Sequence, residues 1–291
     1  MLSILIPVYN FDSTEMILEL NDQARSLKID YEILVYDDNS PNIIESYKDL
    51  NSIENIRYKY LEANLGRSSI RNKLAKDAKY PYLLFLDCDA KIPSKNFINL
   101  YINHRDEADI ISGGRIYPER EVIEPNEYLH WIYGVKRESS CNREDAKHFM
   151  TNNFLIKREV YLSTLLDVSF DGYGHEDTVF GIELRKKGYR FKIIKNPVIH
   201  IGLYDSEDFL RNTRNSIHNL SSLIGTKYRE DEFFDIKLVK AYHFARKFGL
   251  KIPLKAFYSM FHKAIELNLK SRKPNLILLD IYKLGYYLSI D

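Results

Sequence analysis

The first ninety residues alternate between short apolar runs and longer amphipathic stretches. The apolar runs predict strands, and the stretches with helical spacing predict helices. The predicted strands are 2–8, 31–36, 56–60 and 82–86, and the predicted helices are 15–28 and 67–78. This alternation is typical of a parallel sheet with crossover helices. Beyond residue 105 further strands are predicted at 109–116, 149–157 and 190–201, and the irregular order indicates that part of the sheet is antiparallel.

The last third of the chain has a different pattern. From about residue 207, apolar residues recur at helical spacing between many lysines and arginines; examples are Leu238, Tyr242, Ala245 and Phe248, or Phe257, Phe261, Ala264 and Leu267. We therefore predict an α/β fold with a Rossmann-like, mixed but mainly parallel sheet flanked by helices over residues 1–205, and a C-terminal helical extension over 206–291. Two interpretations of this basic extension stay open. Its helices pack on the domain with solvated lysines outside, or they contact an anionic membrane surface.

Composition and charge exclude several classes of protein. The 42 Lys and Arg nearly balance the 41 Asp and Glu, so we expect no nucleic acid partner. The only cysteines, Cys88 and Cys141, cannot form a disulfide framework or a zinc site. The apolar start lacks a basic region and is interrupted by Pro7, which favours a strand over a signal peptide. Residues 276–290 are too short and too charged to span a bilayer. We expect a cytoplasmic protein, with peripheral contact at the inner face of the membrane left open.

Polar residues follow three of the predicted strands. Tyr9 follows the first strand and Asp37 and Asp38 follow the second, whereas Asp87 and Asp89 follow the strand at 82–86. Because the carboxyl ends of parallel strands meet at one edge of a sheet, these residues are expected to line one crevice. A hard divalent cation carrying a diphosphate would balance the charge of Asp87 and Asp89. The alternative is that these acids only form a turn or cap the next helix.

The other polar segments of the first half also allow two interpretations. Residues 37–40 could form a local turn, or one carboxylate could accept a hydrogen bond from the N–H of a pyrimidine while Tyr9 stacks on the base. Arg67 and Arg71 follow Gly66 at the start of a helix. They could face phosphate groups there, or lie on a solvated helix face.

Two candidates come from the second half of the chain. Residues 171–177 combine two glycines with the adjacent acids Glu176 and Asp177, which begin a helix. Either acid could cap the helix, or one could act as the general base that takes a proton from a sugar hydroxyl. His200 ends an apolar run and could be a core residue or a third metal ligand. Cys88, between the two aspartates, is assigned to packing only.

The order of these motifs resembles that of a known family. The segments IPVYN, VYDDNS, NLGRSSIRNKLAKDA and FLDCDA resemble the family 2 glycosyltransferases of the GT-A fold. The later GYGHEDTVFGIELRKKGYRF is similar to a galactosyltransferase-type C-terminal motif. The resemblance covers roughly residues 1–202, and four motifs in the same order are more specific than any single one.

The resemblance implies a donor site built from the strand ends. Tyr9 matches the aromatic residue that packs on the nucleotide base, and Asp38 matches the carboxylate that reads uracil, with Asp37 as its neighbour. Pro7, in the same motif as Tyr9, and Arg71 complete the positions expected to bind the donor.

The resemblance also implies the metal site and the catalytic acids. Asp87 and Asp89 match the D-x-D motif, with Asp89 as the direct ligand of Mn²⁺ or Mg²⁺ and Asp87 nearer the ribose or sugar. His200 falls where some relatives place a third metal ligand. Asp177 matches the catalytic base, and Glu176 would bind acceptor or donor hydroxyls.

The implied function is transfer of a sugar from a UDP-sugar to a hydroxyl of a saccharide or glycolipid acceptor, in surface polysaccharide synthesis. The resemblance implies inversion, although relatives with this C-terminal motif include retaining enzymes. Residues 149–157 resemble the acceptor-side strand, with Thr151, Asn152 and Asn153 in place of a glycine-rich form. The alternatives are a sugar nucleotidyltransferase and a non-catalytic sugar-nucleotide binding module. The sugar, the acceptor and the oligomeric state stay open.

Overall fold

The structure is a computed structural model that describes residues 1–42, 44–139, 149–169 and 174–291. Cys141 and the first three residues of the acidic segment at 171–177 lie outside the described residues. The chain forms two compact units. The first comprises Met1–Pro118, Glu138–Val168 and Glu176–Gly202, and the second comprises Glu119–Arg137, Ser169–His175 and Leu203–Asp291. Our division into a catalytic domain ending at residue 205 and a helical extension stays a prediction.

Strands and helices alternate in the first half of the chain, as predicted. The strands are β1 (Leu2–Val8), β2 (Tyr31–Asp37), β3 (Ile56–Tyr60), β4 (Tyr82–Leu86), β5 (Ala90–Lys91), β6 (Ile110–Ser112), β7 (Arg115–Ile116), β8 (Asn153–Lys157), β9 (Phe191–Ile193) and β10 (Val198–His200). The helices are α1 (Thr14–Ser26), α2 (Arg67–Asp77), α3 (Phe97–His104), α4 (Tyr128–Tyr133), α5 (Arg158–Thr164), α6 (Glu176–Lys186), α7 (Ser206–Leu223), α8 (Lys237–Lys247), α9 (Lys251–Leu269) and α10 (Leu276–Ile290).

The first unit is built on a seven-stranded sheet in the order β3-β2-β1-β4-β8-β6-β9. The pairs β1–β2, β1–β4, β2–β3 and β6–β9 are parallel, whereas β8 runs antiparallel to both β4 and β6. A smaller sheet has the order β5-β10-β7. The predicted mixed, mainly parallel sheet is therefore confirmed.

Both faces of the large sheet are covered. Leu2, Ile4, Ile6 and Val8 of β1 belong to one hydrophobic cluster, whereas Leu5 belongs to the cluster on the other face. This alternation follows from the two-residue period of a strand. Because both faces are buried, the central strands are mainly apolar, and the polar side chains Ser3 and Glu32 pair with each other at 2.7 Å.

Two predicted strands are each divided in the structure. The segment 109–116 contains β6 and β7, which belong to different sheets. They are separated at Gly113, where a Cβ would lie 2.4 Å from both the Asn196 carbonyl oxygen and the Tyr101 hydroxyl. The segment 190–201 is divided into β9 and β10 by a tight turn, in which the Asn196 N–H donates to the Ile194 carbonyl at 3.0 Å. These breaks create the smaller sheet.

The second unit is helical, and its core lies between α4, α7, α9 and α10. Leu129, Phe209, Ile265, Leu279 and Tyr282 belong to this hydrophobic cluster. The helical character of the C-terminal residues is confirmed. No helix among the described residues is long and apolar enough to cross a membrane.

The predicted apolar stripe of α9 has an unexpected position. Phe257, Phe261 and Leu267 are exposed, and the helix buries Ile265 and Leu269 instead. Apolar periodicity alone does not say which of two apolar faces meets the core.

Candidate active site

The ends of β1, β2 and β4 meet at one edge of the large sheet, because these three strands are parallel neighbours. Val8 is in register with Asp37, and the Asp38 N–H donates to the Val8 carbonyl at 2.8 Å. Pro7 is buried within β1, whereas the Tyr9 side chain just beyond the strand is exposed. The structure thus brings the predicted donor-site residues of the first two strands together.

The carboxylates of Asp37 and Asp38 hold the backbone around them. Asp37 is fully buried, and its Oδ1 accepts the Ser40 N–H at 2.8 Å, which closes the turn considered from the sequence. Asp38 Oδ1 accepts the Leu65 N–H at 2.7 Å, and its Oδ2 accepts the Gly66 N–H at 2.9 Å. Burial raises the pKa of Asp38, and these two hydrogen bonds offset only part of that effect. Asp38 therefore fixes the loop that leads into α2.

Arg71 and Asp87 form an ion pair beside this loop. Arg71 lies on α2 and is buried, and its Nη2 donates to Asp87 Oδ1. Arg71 Nη1 donates to the Arg67 carbonyl at 3.1 Å, which anchors the guanidinium on its own helix. The Asp87 N–H donates to the Asn152 carbonyl at 3.0 Å. The first acid of the D-x-D motif is thus paired with a cation of the protein.

Asp89 faces His200 because β5 pairs with β10. His200 is in register with Ala90, and its Nδ1 lies 3.4 Å from Asp89 Oδ1. Burial by itself raises the pKa of Asp89, but attraction to His200, Arg115 and Arg67 outweighs it, so the pKa lies below its usual range. Asp89 Oδ1 is buried and has no hydrogen-bond partner among the described residues. The second acid is therefore an ionised carboxylate whose buried Oδ1 lies beside His200 without a well-formed hydrogen bond.

Gly202 makes room for this carboxylate. A Cβ at this position would lie 2.5 Å from Asp89 Oδ2 and 2.5 Å from Asp89 Cβ. Such contacts are sterically forbidden, so only glycine lets the backbone after β10 approach Asp89 this closely. The Ile201 N–H donates to the Asp89 carbonyl at 2.9 Å and fixes the same approach.

The donor set suits a divalent cation that keeps most of its shell for other ligands. An ionised carboxylate oxygen and an imidazole nitrogen lie side by side at Asp89 and His200. No group of three or more His, Cys, Asp or Glu side chains that could hold a metal occurs in the described ranges. Mg²⁺ and similar ions commonly take one or two protein ligands and complete their shell with phosphate oxygens and water. The residues present fit that arrangement.

Asp177 lies in the first turn of α6, as predicted. Its Oδ1 accepts the Thr178 N–H at 2.7 Å. Burial and, secondly, the neighbouring carboxylate of Glu176 raise the pKa of Asp177 to about 7, against the opposing charge of Arg115. A carboxylate with this pKa can both take up and release a proton near neutral pH.

Arg115, Tyr117 and Glu138 form a cluster that the sequence analysis missed. Arg115 Nη2 lies 2.7 Å from Glu138 Oε2, and the Tyr117 hydroxyl donates to the same carboxylate oxygen. The Tyr117 ring meets the His200 ring edge to face, with centroids 5.5 Å apart. Arg115 lowers the pKa of both Asp89 and Asp177. The sequence feature that could have indicated this cluster is the pair Gly113 and Gly114 before Arg115. This pair separates β6, which belongs to the large sheet, from β7, which belongs to the smaller sheet.

Thr151, Asn152 and Asn153 are all buried. The Asn153 side chain donates to the carbonyls of Gly114 at 2.8 Å and Asn196 at 2.9 Å, and accepts the Tyr101 hydroxyl at 2.6 Å. In this chain Asn153 therefore holds together the turns that follow β6 and β9.

Two curated relatives share part of their sequence with this chain. The chondroitin synthase of Escherichia coli is 25% identical over 234 residues, covering 68% of this chain and 34% of the relative. The chondroitin synthase of Pasteurella multocida (strain Pm70) is 23% identical over 235 residues, covering 66% of this chain and 24% of the relative. The matched part thus spans between a quarter and a third of the length of these relatives.

The fold is similar to those of solved glycosyltransferases. The mannosyltransferase PcManGT from Pyrobaculum calidifontis, in complex with GDP-Man and Mn²⁺, superposes with a TM-score of 0.61 at 14% identity, covering 99% of this chain and 84% of that chain. The S. aureus TarS 1-349 in complex with UDP gives a TM-score of 0.51 at 15% identity, covering 92% of this chain and 79% of that chain. These similarities confirm the predicted GT-A fold class.

The family itself follows from the sequence. The model described as Glycosyl transferase family 2 matches residues 3–164, which is more than half of the 291 residues. The matched region includes the strand ends that carry Tyr9, Asp38, Asp87 and Asp89. The chain belongs to glycosyltransferase family 2.

Proposed function

We propose that this protein is a metal-dependent, inverting glycosyltransferase that moves a sugar from a UDP-sugar to a hydroxyl of a saccharide or glycolipid acceptor. The observation that carries the proposal is the pair of acids with opposite pKa shifts. Asp89 is held ionised, whereas the pKa of Asp177 is raised to about 7. Acids whose environments push their pKa values apart are suited to different tasks, here charge binding and proton transfer.

The strand ends of the large sheet would bind the donor. Tyr9 is exposed beyond β1 and can stack on the uracil ring, with buried Pro7 holding the strand beneath it. Asp38, supported by Asp37, would accept the N–H of the base. Arg71 orients Asp87 toward the ribose or sugar hydroxyls. The complexes of TarS with UDP and of PcManGT with GDP-Man and Mn²⁺ support a nucleotide-sugar donor for this fold.

Asp89 and His200 would hold Mn²⁺ or Mg²⁺. When bound, the cation neutralises the negative charge on the departing diphosphate. Asp89 serves this role because it is ionised and its buried Oδ1 lies beside His200 without a well-formed hydrogen bond. Gly202 and the hydrogen bond from Ile201 keep the carboxylate in place.

Asp177 would remove the proton from the attacking hydroxyl. Because its Oδ1 accepts the Thr178 N–H, Oδ2 is the oxygen left for the proton. Glu176 raises the proton affinity of Asp177 and would bind sugar hydroxyls. A base on the face opposite the leaving group gives inversion in a single displacement, without a covalent intermediate. The names of the two chondroitin synthase relatives support a saccharide acceptor, as expected for cytoplasmic synthesis of a surface polysaccharide.

Calorimetric titration with UDP tests the donor site. We expect wild-type protein to bind UDP in the presence of Mn²⁺ and to bind it more weakly without the ion. Asp89→Ala should lose the Mn²⁺-dependent part of the affinity, whereas Asp22→Ala, which removes an exposed acid of α1, should keep it. A folded wild-type protein that binds no UDP under either condition would overturn the uridine assignment.

A further inference from the structure

Helix α9 has an exposed side that carries large apolar residues and, between two of them, Lys263. Ile252, Met260 and Leu267 are 81%, 75% and 74% exposed. The spacings of eight and seven residues place these side chains on one side of the helix, opposite the buried Ile265 and Leu269. An apolar face of this length is unusual on a helix whose other side already packs in a core.

Further exposed aromatic residues lie at the end of α8 and on the flank of α9. Phe244 and Phe248 contact each other with ring centroids 4.4 Å apart, and Phe257 and Phe261 do so at 4.8 Å. All four rings are exposed. We define the α8–α9 surface as these four rings together with Ile252, Met260 and Leu267.

Basic residues surround the α8–α9 surface. Residues 237–273 contain ten Lys and Arg but a single acid, Glu266. Glu266 is itself bound, since its Oε1 accepts the Tyr282 hydroxyl at 2.8 Å and lies 3.6 Å from Arg214. Lys247, Lys255 and Lys263 are exposed. Arg246, Lys251 and Lys270 form ion pairs with Glu230, Asp291 and Glu207, so the positive charge beside the exposed apolar side chains rests on the remaining basic residues, Lys247, Lys255 and Lys263 among them.

We propose that the α8–α9 surface binds the surface of an anionic lipid bilayer, with the apolar side chains inserted among the lipids and the lysines against the headgroups. Apolar side chains with basic flanks are the features that bind such interfaces. A second copy of this chain would bring two basic surfaces together, and the polar groove of a nucleic acid offers no place for Met260 or Leu267. The assignment concerns the C-terminal helices alone and does not depend on the proposed chemistry.

Vesicle cosedimentation of the full chain tests this assignment. We expect the wild-type protein to bind vesicles of equimolar phosphatidylcholine and phosphatidylglycerol at least about tenfold more tightly than vesicles of phosphatidylcholine alone, and less tightly at high salt. The double variant Met260→Glu and Leu267→Glu should reduce binding to the anionic vesicles by about tenfold or more. Lys255→Glu with Lys263→Glu should reduce it by roughly fivefold for each lysine.

A matched control adds the same two negative charges elsewhere. Val122 and Val168 are 72% and 61% exposed and lie outside the α8–α9 surface, so Val122→Glu with Val168→Glu should leave vesicle binding unchanged. Thermal unfolding confirms that each variant is folded. The assignment is overturned if the wild type does not sediment with anionic vesicles, or if the Met260→Glu and Leu267→Glu variant binds like the wild type. Light scattering provides the alternative outcome. If the wild type is a dimer that binds no vesicles, and the Met260→Glu and Leu267→Glu variant is a monomer, the surface binds a second copy of this chain instead.

Discussion

The pair Asp37 and Asp38 and the pair Asp87 and Asp89 occupy equivalent places in the sequence but differ in their partners. Each pair comes at the end of a buried parallel strand of the same sheet. The first pair accepts backbone N–H groups of Ser40, Leu65 and Gly66. The second pair faces basic side chains, Arg71 at Asp87 and His200 at Asp89.

This difference indicates two roles: the first pair holds the backbone in place, and the second pair is available to bind a charged ligand. A carboxylate that accepts backbone N–H groups uses its lone pairs on the protein and holds a loop in place. A carboxylate that faces a basic side chain carries a charge that a metal ion or a ligand can also bind. We therefore expect the first pair to matter most for stability and the second pair to matter most for turnover.

Asp177 shares features with both pairs, so it provides the sharpest test. Its Oδ1 accepts a backbone N–H, yet its pKa responds to Arg115. If Asp177 is the base, Asp177→Asn should lower kcat by about 10²–10⁴-fold, because the amide cannot take the proton. UDP affinity with Mn²⁺ should stay unchanged, as measured by calorimetry.

The conservative control for this variant is Asp22→Asn, which makes the same change at an exposed acid of α1. Turnover by Asp177→Asn at the wild-type rate, with the protein folded, would reduce Asp177 to a helix cap. A non-catalytic sugar-nucleotide binding module predicts instead that wild type and variant both bind UDP and that neither turns over, so comparing the two proteins decides between the two functions.

The second largest effect should come from Asp89. Asp89→Asn removes the charge that would hold the cation, and we expect kcat/KM to fall by about a hundredfold. Asp38→Asn should raise the KM for the donor by about tenfold at most, because its carboxylate already serves the backbone. Initial rates of UDP release at saturating Mn²⁺ compare the two variants. If kcat/KM falls equally in both variants, the two acid pairs do not differ in their importance for turnover.

The pH dependence of the reaction should follow Asp177. The base must be deprotonated, so kcat/KM should rise about tenfold per pH unit below about pH 7 and level off above it. Arg115 lowers the pKa of Asp177, so Arg115→Met should move this rise to higher pH. Arg115→Lys keeps the charge and should leave the profile near that of the wild type. A profile that is the same in all three proteins would remove Asp177 or Arg115 from the proton transfer.

Much of the sheet and part of the site could be predicted from the sequence. Strands such as β1 and β4 are mainly apolar because they are buried on both faces, and the polar residues that follow them mark the edge where Tyr9 and Asp89 lie. The smaller sheet could not be predicted, since its strands are two or three residues long and pair with distant segments. It carries Arg115, which was missed for that reason.

The contacts of individual carboxylates were equally out of reach. The two acid pairs look alike in the sequence. They differ because segments distant in the sequence bring backbone N–H groups to one pair and basic side chains to the other. Gly66 and Leu65 reach Asp38 from the loop before α2, whereas His200 reaches Asp89 from β10. The exposed face of α9 was also missed, because both of its sides are apolar and the spacing does not indicate which one packs.

The smallest effect completes the comparison and concerns stability. In Asp38→Asn, the amide oxygen can accept one of the two N–H groups of Leu65 and Gly66, but the NH₂ group cannot accept the other. The Gly66 N–H still has Asn64 Oδ1 as a second acceptor at 3.1 Å, so the variant loses one hydrogen bond without leaving an N–H unpaired, and we expect the free energy of unfolding to fall by about 0.5–1.5 kcal/mol. Urea denaturation measures it, with Asp22→Asn on the exposed face of α1 as the control. The opposite result would be a wild-type urea midpoint for Asp38→Asn and a lower midpoint for Asp89→Asn. In that case the second pair, and not the first, stabilises the backbone.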